Sequence, residues 1–521
     1  MPIRGLETFK SFYPNAFPRR PSLILRDASM AIDGFWFIKK YVTLNPLEIF
    51  LYGQTREYPE LITLLDFVSS HNIDLLWIWS GVRIRKSPPT AGFEDATTAY
   101  EEGRDREAMA GWKRSLNPED HVLPITNILQ SRGISVLRAP YSATAQAAYL
   151  ANIKVCNYIF APTEFLLFEG GNKLITEFHG IKGSTGTNKI TCIDIICKAD
   201  LMRHLSLDNS SFLGYGILLG CEFCPTMPVY STNFDIFKIL KIARTYGSIC
   251  NELKLCLETN YRGIDEKLIS SYMENFCTAL TIIRDHPVMK QNGIVEPLSG
   301  KAVPNGFEDI FGPRASNTLY SYLAQLKIFP EMIFRTQNGN SIENILKVYI
   351  SKINKKDSNL IPVITTPENF VRSYLGINAV NTSKISLINQ ILLIKYILPF
   401  KEQRISKILC LNQEMLGYGE VILDAELLRF LHRLKAVQRD CICMLSLMID
   451  FKEEDLNLSL FNALICKPPF KTADQTCINN NIAFLNDALV CLEANRDTAN
   501  ASEAIDEIKE FIEVLEKITY S

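Results

Sequence analysis

The 521-residue sequence has no surplus of positive charge: 55 lysines and arginines stand against 57 aspartates and glutamates, a net charge of −2. A chain that grips a nucleic-acid backbone along its length carries a basic excess, because each neutralised phosphate adds affinity. That role is excluded for the chain as a whole, so any nucleic-acid contact has to come from a local patch. Long hydrophobic runs are missing too. None reaches the ~18 residues that span a bilayer, and the longest, about 385–400, is interrupted by Asn389, Gln390 and Lys395. The opening MPIRGLETFKSF lacks the apolar run of a secretory leader. The 14 cysteines are therefore expected as reduced, mostly buried thiols in a cytosolic or nuclear protein.

Scarcity also limits metal and phosphate chemistry. The six histidines (His71, His121, His179, His204, His286 and His432) form no i,i+4 pair and no ligand motif, so they are expected as separate surface or capping residues. Cys221 and Cys224 make a single Cys-x-x-Cys. A structural zinc needs four ligands, no second pair has suitable spacing, and Cys441 and Cys443 are wrongly spaced for one. Gly170-Gly171 and the Gly183 to Gly186 stretch read as turns, since no Gly-Lys-Ser/Thr or Gly-x-Gly-x-x-Gly loop is present. No cofactor is expected.

What is present, at 47% hydrophobic and 21% charged residues, is an ordinary folded composition with length for two to four domains. Five short apolar runs lie in the first half: within 22–32 leading to Asp33, at 73–79 ending before Ser80, at 133–137, from Tyr158 to Phe160, and at 173–178. Helical spacing at 59–70, 118–132 and 142–153 alternates with them. This alternation predicts the α/β class, with a parallel sheet covered on both faces. Polar chemistry in such sheets gathers at the carboxyl ends of the strands, here Asp33, Ser80, 138–140 and 161–162. From about 209 the chain turns helical, with helices expected at 234–246 and 265–283 and a connector at 287–313. Helical spacing returns at 318–328, 341–353, 383–398 and 423–451, and in a last amphipathic stripe through Ile505, Ile508, Ile512 and Leu515.

Several segments in order carry a family resemblance. They are the opening MPIRGLETF, Ala31-Ile-Asp33-Gly34, Trp77-Ile-Trp-Ser80-Gly81, the run GISVLRAPYSATAQAAYL from Gly133, Tyr158-Ile-Phe-Ala-Pro162-Thr-Glu164, and Gly216-Ile-Leu-Leu-Gly-Cys221-Glu222. Over residues 1–235 the chain resembles the XPG and flap-endonuclease superfamily, which implies a PIN-like α/β core. It also implies metal-assisted phosphodiester hydrolysis, in which strand-end carboxylates hold two divalent cations. Magnesium needs charged oxygen ligands to compete with its hydration shell. Taken position by position, Asp33 is kept. The next acid falls on Ser80, the following pair on Ser142 and Thr144, the next pair on Pro162 and Glu164, and the last on Glu222. Four of these seven positions carry no carboxylate. The resemblance therefore implies a nuclease fold without nuclease activity, and magnesium only for a divergent endonuclease that keeps a minimal metal site on Asp33, Glu164 and Glu222. Asp33 reads as a strand end bonded to nearby backbone, and Glu164 and Glu222 as surface or capping residues.

The parts that hold substrate in that superfamily are thinned as well. The stretch matching its basic arch, 83–114, holds seven basic and six acidic residues, a mixed and solvated face. Arg83, Arg85 and Lys86, beside Trp77 and Trp79, are left as candidates for an RNA contact. One branch matches better: the MKT-type post-transcriptional regulators, through Asp309-Ile-Phe-Gly312 with Leu319-Tyr320 and through Glu426-Leu-Leu-Arg-Phe-Leu-His432. That resemblance implies a nuclease-like domain at 1–290 (about 1–115, 118–235 and a helical extension), a mainly helical middle region at 291–400 and a helical domain at 401–521. It also implies a cytoplasmic adaptor, in mRNP granules or on polysomes. Its partners would be an ataxin-2-like protein and the poly(A)-binding protein complex, with mRNA reached indirectly. The strand-end crevice lined by Ser80, Ser142 and Thr144 would be nearly neutral and open to a partner segment. Direct RNA binding is the remaining alternative.

Overall fold

The computed structural model describes residues 2–326 apart from 43–57, 85–92, 116–117, 182–188, 228–232, most of 247–265, 301–306 and 313, and only scattered positions beyond 326. The helices expected at 341–353, 383–398 and 423–451 lie outside the described residues. Two compact units are present. The first is drawn from Met1–Thr43, Tyr58–Lys86 and His121–Leu326, the second from Leu44–Glu57, Ser87–Asp120 and Lys327–Ser521.

The first unit is built on a seven-stranded sheet in the order β1-β7-β6-β5-β2-β3-β4. All five expected strands form: β2 (Ser29–Asp33), β3 (Asp74–Trp79), β4 (Ser135–Arg138), β5 (Tyr158–Phe160) and β6 (Lys173–His179). They pair in parallel. Met30, Ala31 and Ile32 of β2 are fully buried, as a strand covered on both faces should be. Two strands were not expected, β1 (Arg19–Pro21) and β7 (Cys192–Cys197), and both run antiparallel. β7 carries a charge in its middle, and the charge is satisfied across the sheet edge. Asp194 accepts from Lys10 Nζ at 2.5 Å and Arg19 Nε at 3.0 Å. Burial pushes its carboxyl up, but the bonds from Arg19, Lys10 and His179 outweigh this and hold it at about 2.

Helices α1 (Gly34–Tyr41), α2 (Pro59–Ser70), α3 (Phe93–Glu101), α4 (Asp105–Ser115), α5 (Val122–Ser131) and α6 (Ala143–Asn152) follow in the first half of the described chain. α1 and α6 pack on β2 and β3. α7 (Lys198–Leu205), α8 (Asn209–Leu219), α9 (Ile236–Tyr246) and α10 (Glu266–Arg284) come next. The stretch expected as a connector instead forms a hairpin, β8 (Pro287–Met289) with β9 (Val295–Pro297), and then α11 (Phe307–Phe311); α12 (Asn317–Ala324) follows. It is held because Gln146 of α6 clamps Met289 on both backbone atoms, accepting from its N–H at 2.8 Å and donating to its carbonyl at 2.9 Å.

In the second unit α3 and α4 pack around Trp112, whose Nε1 donates to Thr97 Oγ1 at 3.2 Å. Arg104 is taken up by Glu102 and Glu107. One basic side chain of the arch-like stretch is thus paired with its own acids.

The turn after β3 tolerates no side chain. A Cβ on Gly81 would lie 2.1 Å from the Ala139 carbonyl oxygen and 2.4 Å from that of Pro140. The backbones meet there because Gly81 N donates to Tyr141 O at 2.6 Å and Val82 N to Pro140 O at 2.9 Å. Gly81→Ala is expected to cost about 1–3 kcal/mol, read from urea unfolding. A loss under about 0.5 kcal/mol, the scatter of surface substitutions, would show that the two strand ends do not meet this way.

Candidate functional site

The carboxyl ends of β2, β3, β4 and β5 converge where α6 begins. Asp33 ends β2 and caps α1. Its Oδ1 accepts from Trp36 N at 3.1 Å and its Oδ2 from Thr144 Oγ1 at 2.8 Å. The carboxyl is buried, and burial pushes it above the ordinary carboxylate range against the pull of those two bonds. Ser80 Oγ accepts from Ala143 N at 3.0 Å, and Ser142 Oγ accepts from Ala145 N at 3.4 Å. The first amides of a helix have no partner within it, and these two hydroxyls satisfy two of them in α6. Ser80, Ser142 and Thr144 are thus tied into the fold by internal hydrogen bonds, with Ser80 and Ser142 half-buried.

Pro162 precedes a 3-10 turn, Thr163–Leu167, and brings no ligand atom. Glu164 lies inside that turn and is 2% exposed, so it is a buried residue and not the surface residue expected. The turn is apolar around it, and Phe165, Leu166 and Leu167 are buried with it. Glu164 Oε2 accepts from Glu222 N at 3.4 Å. Burial, reinforced by the Glu222 charge, raises the Glu164 carboxyl to about 8. Glu222 keeps an exposed face. Packing pushes its carboxyl up, but nearby positive charge, Lys39 included, and a hydrogen bond from Glu164 bring it below its ordinary value. Burial thus favours the protonated form of Glu164 near neutral pH, while Glu222 favours its ionised form. The Glu222 charge also acts on Asp33 and His286, so Asp33, Glu164 and Glu222 occupy one electrostatic neighbourhood.

His286 closes this end of the sheet. It lies between α10 and β8 and is fully buried, not the separate surface residue expected. Its Nε2 accepts from Ser142 N at 3.2 Å, and its Nδ1–H donates to Ile282 O at 3.2 Å. Both bonds require the neutral ring with its proton on Nδ1. Burial lowers the ring to about 4. Tyr141, Phe168 and Phe311 surround it edge-on, with centroids at 6.3, 5.8 and 5.4 Å. Sequence reasoning missed this residue because its partner Ser142 is 144 positions away. The only local signal is a helix stop at Asp285-His286-Pro287. His121 is likewise buried, against Tyr58.

A pair of magnesium ions does not fit this donor set. Both Asp33 oxygens are committed, Glu164 is neutral near pH 7, and the hydroxyls serve α6 and Asp33. Glu222 alone brings an ionised and partly exposed carboxylate, too little charge to displace the ions' hydration shells. Among the described residues no group of three or more His, Cys, Asp or Glu side chains is arranged to hold a metal ion. Of the candidate RNA-contact residues, Arg83 is exposed and Arg85 and Lys86 lie outside the described residues. Trp77 and Trp79 are fully buried and offer no face to a base. Cys221 and Cys224 are buried free thiols, and burial pushes Cys221 up to about 12.

Comparison with known proteins bears on this site. A family model described as the XPG I-region matches residues 133–222, which carry Ser142, Thr144, Pro162, Glu164 and Glu222. Post-transcriptional regulator MKT1 of Cryptococcus neoformans var. grubii is 22% identical over 380 residues, covering 66% of this chain and 47% of that protein. Flap endonuclease 1 of Theileria parva is 27% identical over 100 residues, 19% of each chain. The chain thus spans about half the length of the first relative, and less of the second. The solved catalytic core of Rad2 aligns with a TM-score of 0.33 at 15% identity, covering 53% of this chain and 86% of that one. The I-region match and the alignment along 66% of the chain make this protein similar to the MKT-type branch of the XPG-like superfamily, and its mostly parallel sheet flanked by helices agrees with that superfamily's α/β fold.

Proposed function

We propose that the protein is a non-catalytic adaptor that regulates mRNA after transcription. One observation carries the reading. The strand end where a nuclease of this superfamily would gather charged metal ligands is closed by internal bonds: Thr144 to Asp33, Ala143 to Ser80, and Ser142 to the His286 ring. The name of the Cryptococcus relative supports the regulatory part. In this reading the chain works in the cytoplasm through an ataxin-2-like protein bound to the poly(A)-binding protein, and reaches mRNA through them.

The purified chain is expected to leave flap and bubble DNA intact with Mg²⁺ or Mn²⁺, within the background of an Asp33→Ala variant. Cleavage that Asp33→Ala abolishes would overturn the reading. So would stoichiometric, micromolar Mn²⁺ binding by calorimetry that the same substitution removes. Affinity purification from cells should recover the poly(A)-binding protein and an ataxin-2-like chain; recovery of DNA-repair proteins alone would count against it.

A further inference from the structure

Beside the β8–β9 hairpin the first unit holds a cavity of about 210 Å³ that no step above uses. Its apolar walls are Pro287, Val295, Phe307, Tyr141 and Tyr320. The two tyrosine hydroxyls bond each other at 2.9 Å, and Tyr141 also donates to Phe311 O at 3.1 Å. The tyrosines therefore turn ring surface, not hydroxyls, toward an occupant. Ile294 stands at the mouth, 38% exposed. Arg314, also exposed and lining the cavity, lies 5.3 Å over the Phe307 ring. Among the described residues it has no carboxylate within ion-pair distance. Asn317 accepts from Val295 N at 3.4 Å through Oδ1, which leaves its NH₂ group as a donor.

These features select a ligand. The walls at Pro287, Val295, Phe307, Tyr141 and Tyr320 are aliphatic and aromatic, with Asn317 the one side-chain amide beside them, so the occupant's deep part is apolar. The single cation, placed over an aromatic ring, suits one planar carboxylate. A phosphate chain is disfavoured because Glu308 and Asp309, both exposed, follow Phe307 directly on α11. A lone carboxylate aligned on the guanidinium meets that repulsion once, and a polyanion meets it along its length. We propose that this cavity binds a short segment of a partner protein in which a large apolar side chain neighbours an aspartate or glutamate. The apolar side chain enters between Phe307 and Tyr320, and the carboxylate pairs with Arg314. This deepens the adaptor reading by giving the partner a place and a chemistry. The two fail separately: DNA cleavage would sink that reading and leave peptide binding untouched.

The test is selection of a phage-displayed random dodecapeptide library on the full chain, followed by fluorescence anisotropy with the enriched peptides. The expected result is enrichment of Leu, Phe or Trp within two positions of Asp or Glu, with binding weakened at least about ten-fold by Arg314→Glu. A peptide whose acid is changed to lysine should bind Arg314→Glu better than it binds the unaltered chain. That reversal also shows the variant to be folded. Three results would each overturn the proposal: peptides enriched without an acid, equal binding to Arg314→Glu with no reversal, or displacement of the peptide by oligo(A) in an Arg314-dependent way.

Discussion

Replacing His286 with alanine is expected to lower the free energy of unfolding by roughly 3–5 kcal/mol. Two losses add. The ring fills the space between Tyr141, Phe168 and Phe311, so its removal leaves a cavity walled by aromatic edges. Ser142 N loses its acceptor and Ile282 O its donor, both in the protein interior. His286→Phe separates the two. It restores most of the volume but turns a C–H toward the Ser142 amide, so the unmet hydrogen bonds remain at about 1–3 kcal/mol. Urea unfolding of the three proteins gives both differences. If alanine costs less than about 1 kcal/mol, which is within the ordinary run of point substitutions, the ring does not hold this strand end together and the closure argument fails with it.

How far the sequence disclosed this arrangement depends on the range of each contact. β2 to β6 are legible because strands buried on both faces read as unbroken apolar runs. β7 is not, since Asp194 interrupts its pattern and the cations that satisfy it, Lys10 and Arg19, lie far away in sequence. The expectation that Ser80, Ser142 and Thr144 stand where a nuclease would carry acids comes from the family resemblance, not from local pattern. Ser142 as a cap can even be read locally, as a serine just before a helical pattern. That Ser80 would reach across to the same helix cannot, because it requires the β3 and β4 ends to be neighbours. Glu164 misled because a charged residue is normally placed on the surface. Nothing in a one-dimensional pattern distinguishes a carboxylate from the neutral acid that burial imposes.

The same two buried groups should set the pH dependence of stability. Above pH 6.5 the protein is expected to lose roughly 2 kcal/mol by pH 8, and Glu164→Gln to remove most of that loss. The sign follows from where each proton sits. The Glu164 carboxyl is raised from 4.5 to about 8, chiefly by burial. Between those values the folded chain holds a proton that the unfolded chain has released, so stability falls as pH rises, by about 1.4 kcal/mol per unit. His286 is lowered from 6.5 to about 4, again by burial. Between those values the unfolded chain holds the extra proton, so stability rises with pH at the same slope. From about 4.5 to 6.5 the two slopes oppose and largely cancel, and above 6.5 Glu164 sets most of the decline, with Asp33, also raised by burial, acting in the same direction. Asp194, held at about 2, titrates below this window; Lys198, lowered by burial to about 8, begins to lose its proton in the folded chain at the window's upper edge and offsets a small part of the decline there. Glutamine at 164 still offers an N–H toward Glu222 but cannot titrate. Its profile should therefore lose most of the decline from 6.5 to 8 and should climb from 4.5 to 6.5, where the histidine is less masked. Adding His286→Phe should flatten that climb in turn. Chemical unfolding at half-unit steps of pH decides it. An unchanged decline above 6.5 in the glutamine variant would mean that Glu164 is ionised in the folded protein, which would return a second carboxylate charge to the strand end and weaken the case against metal binding there.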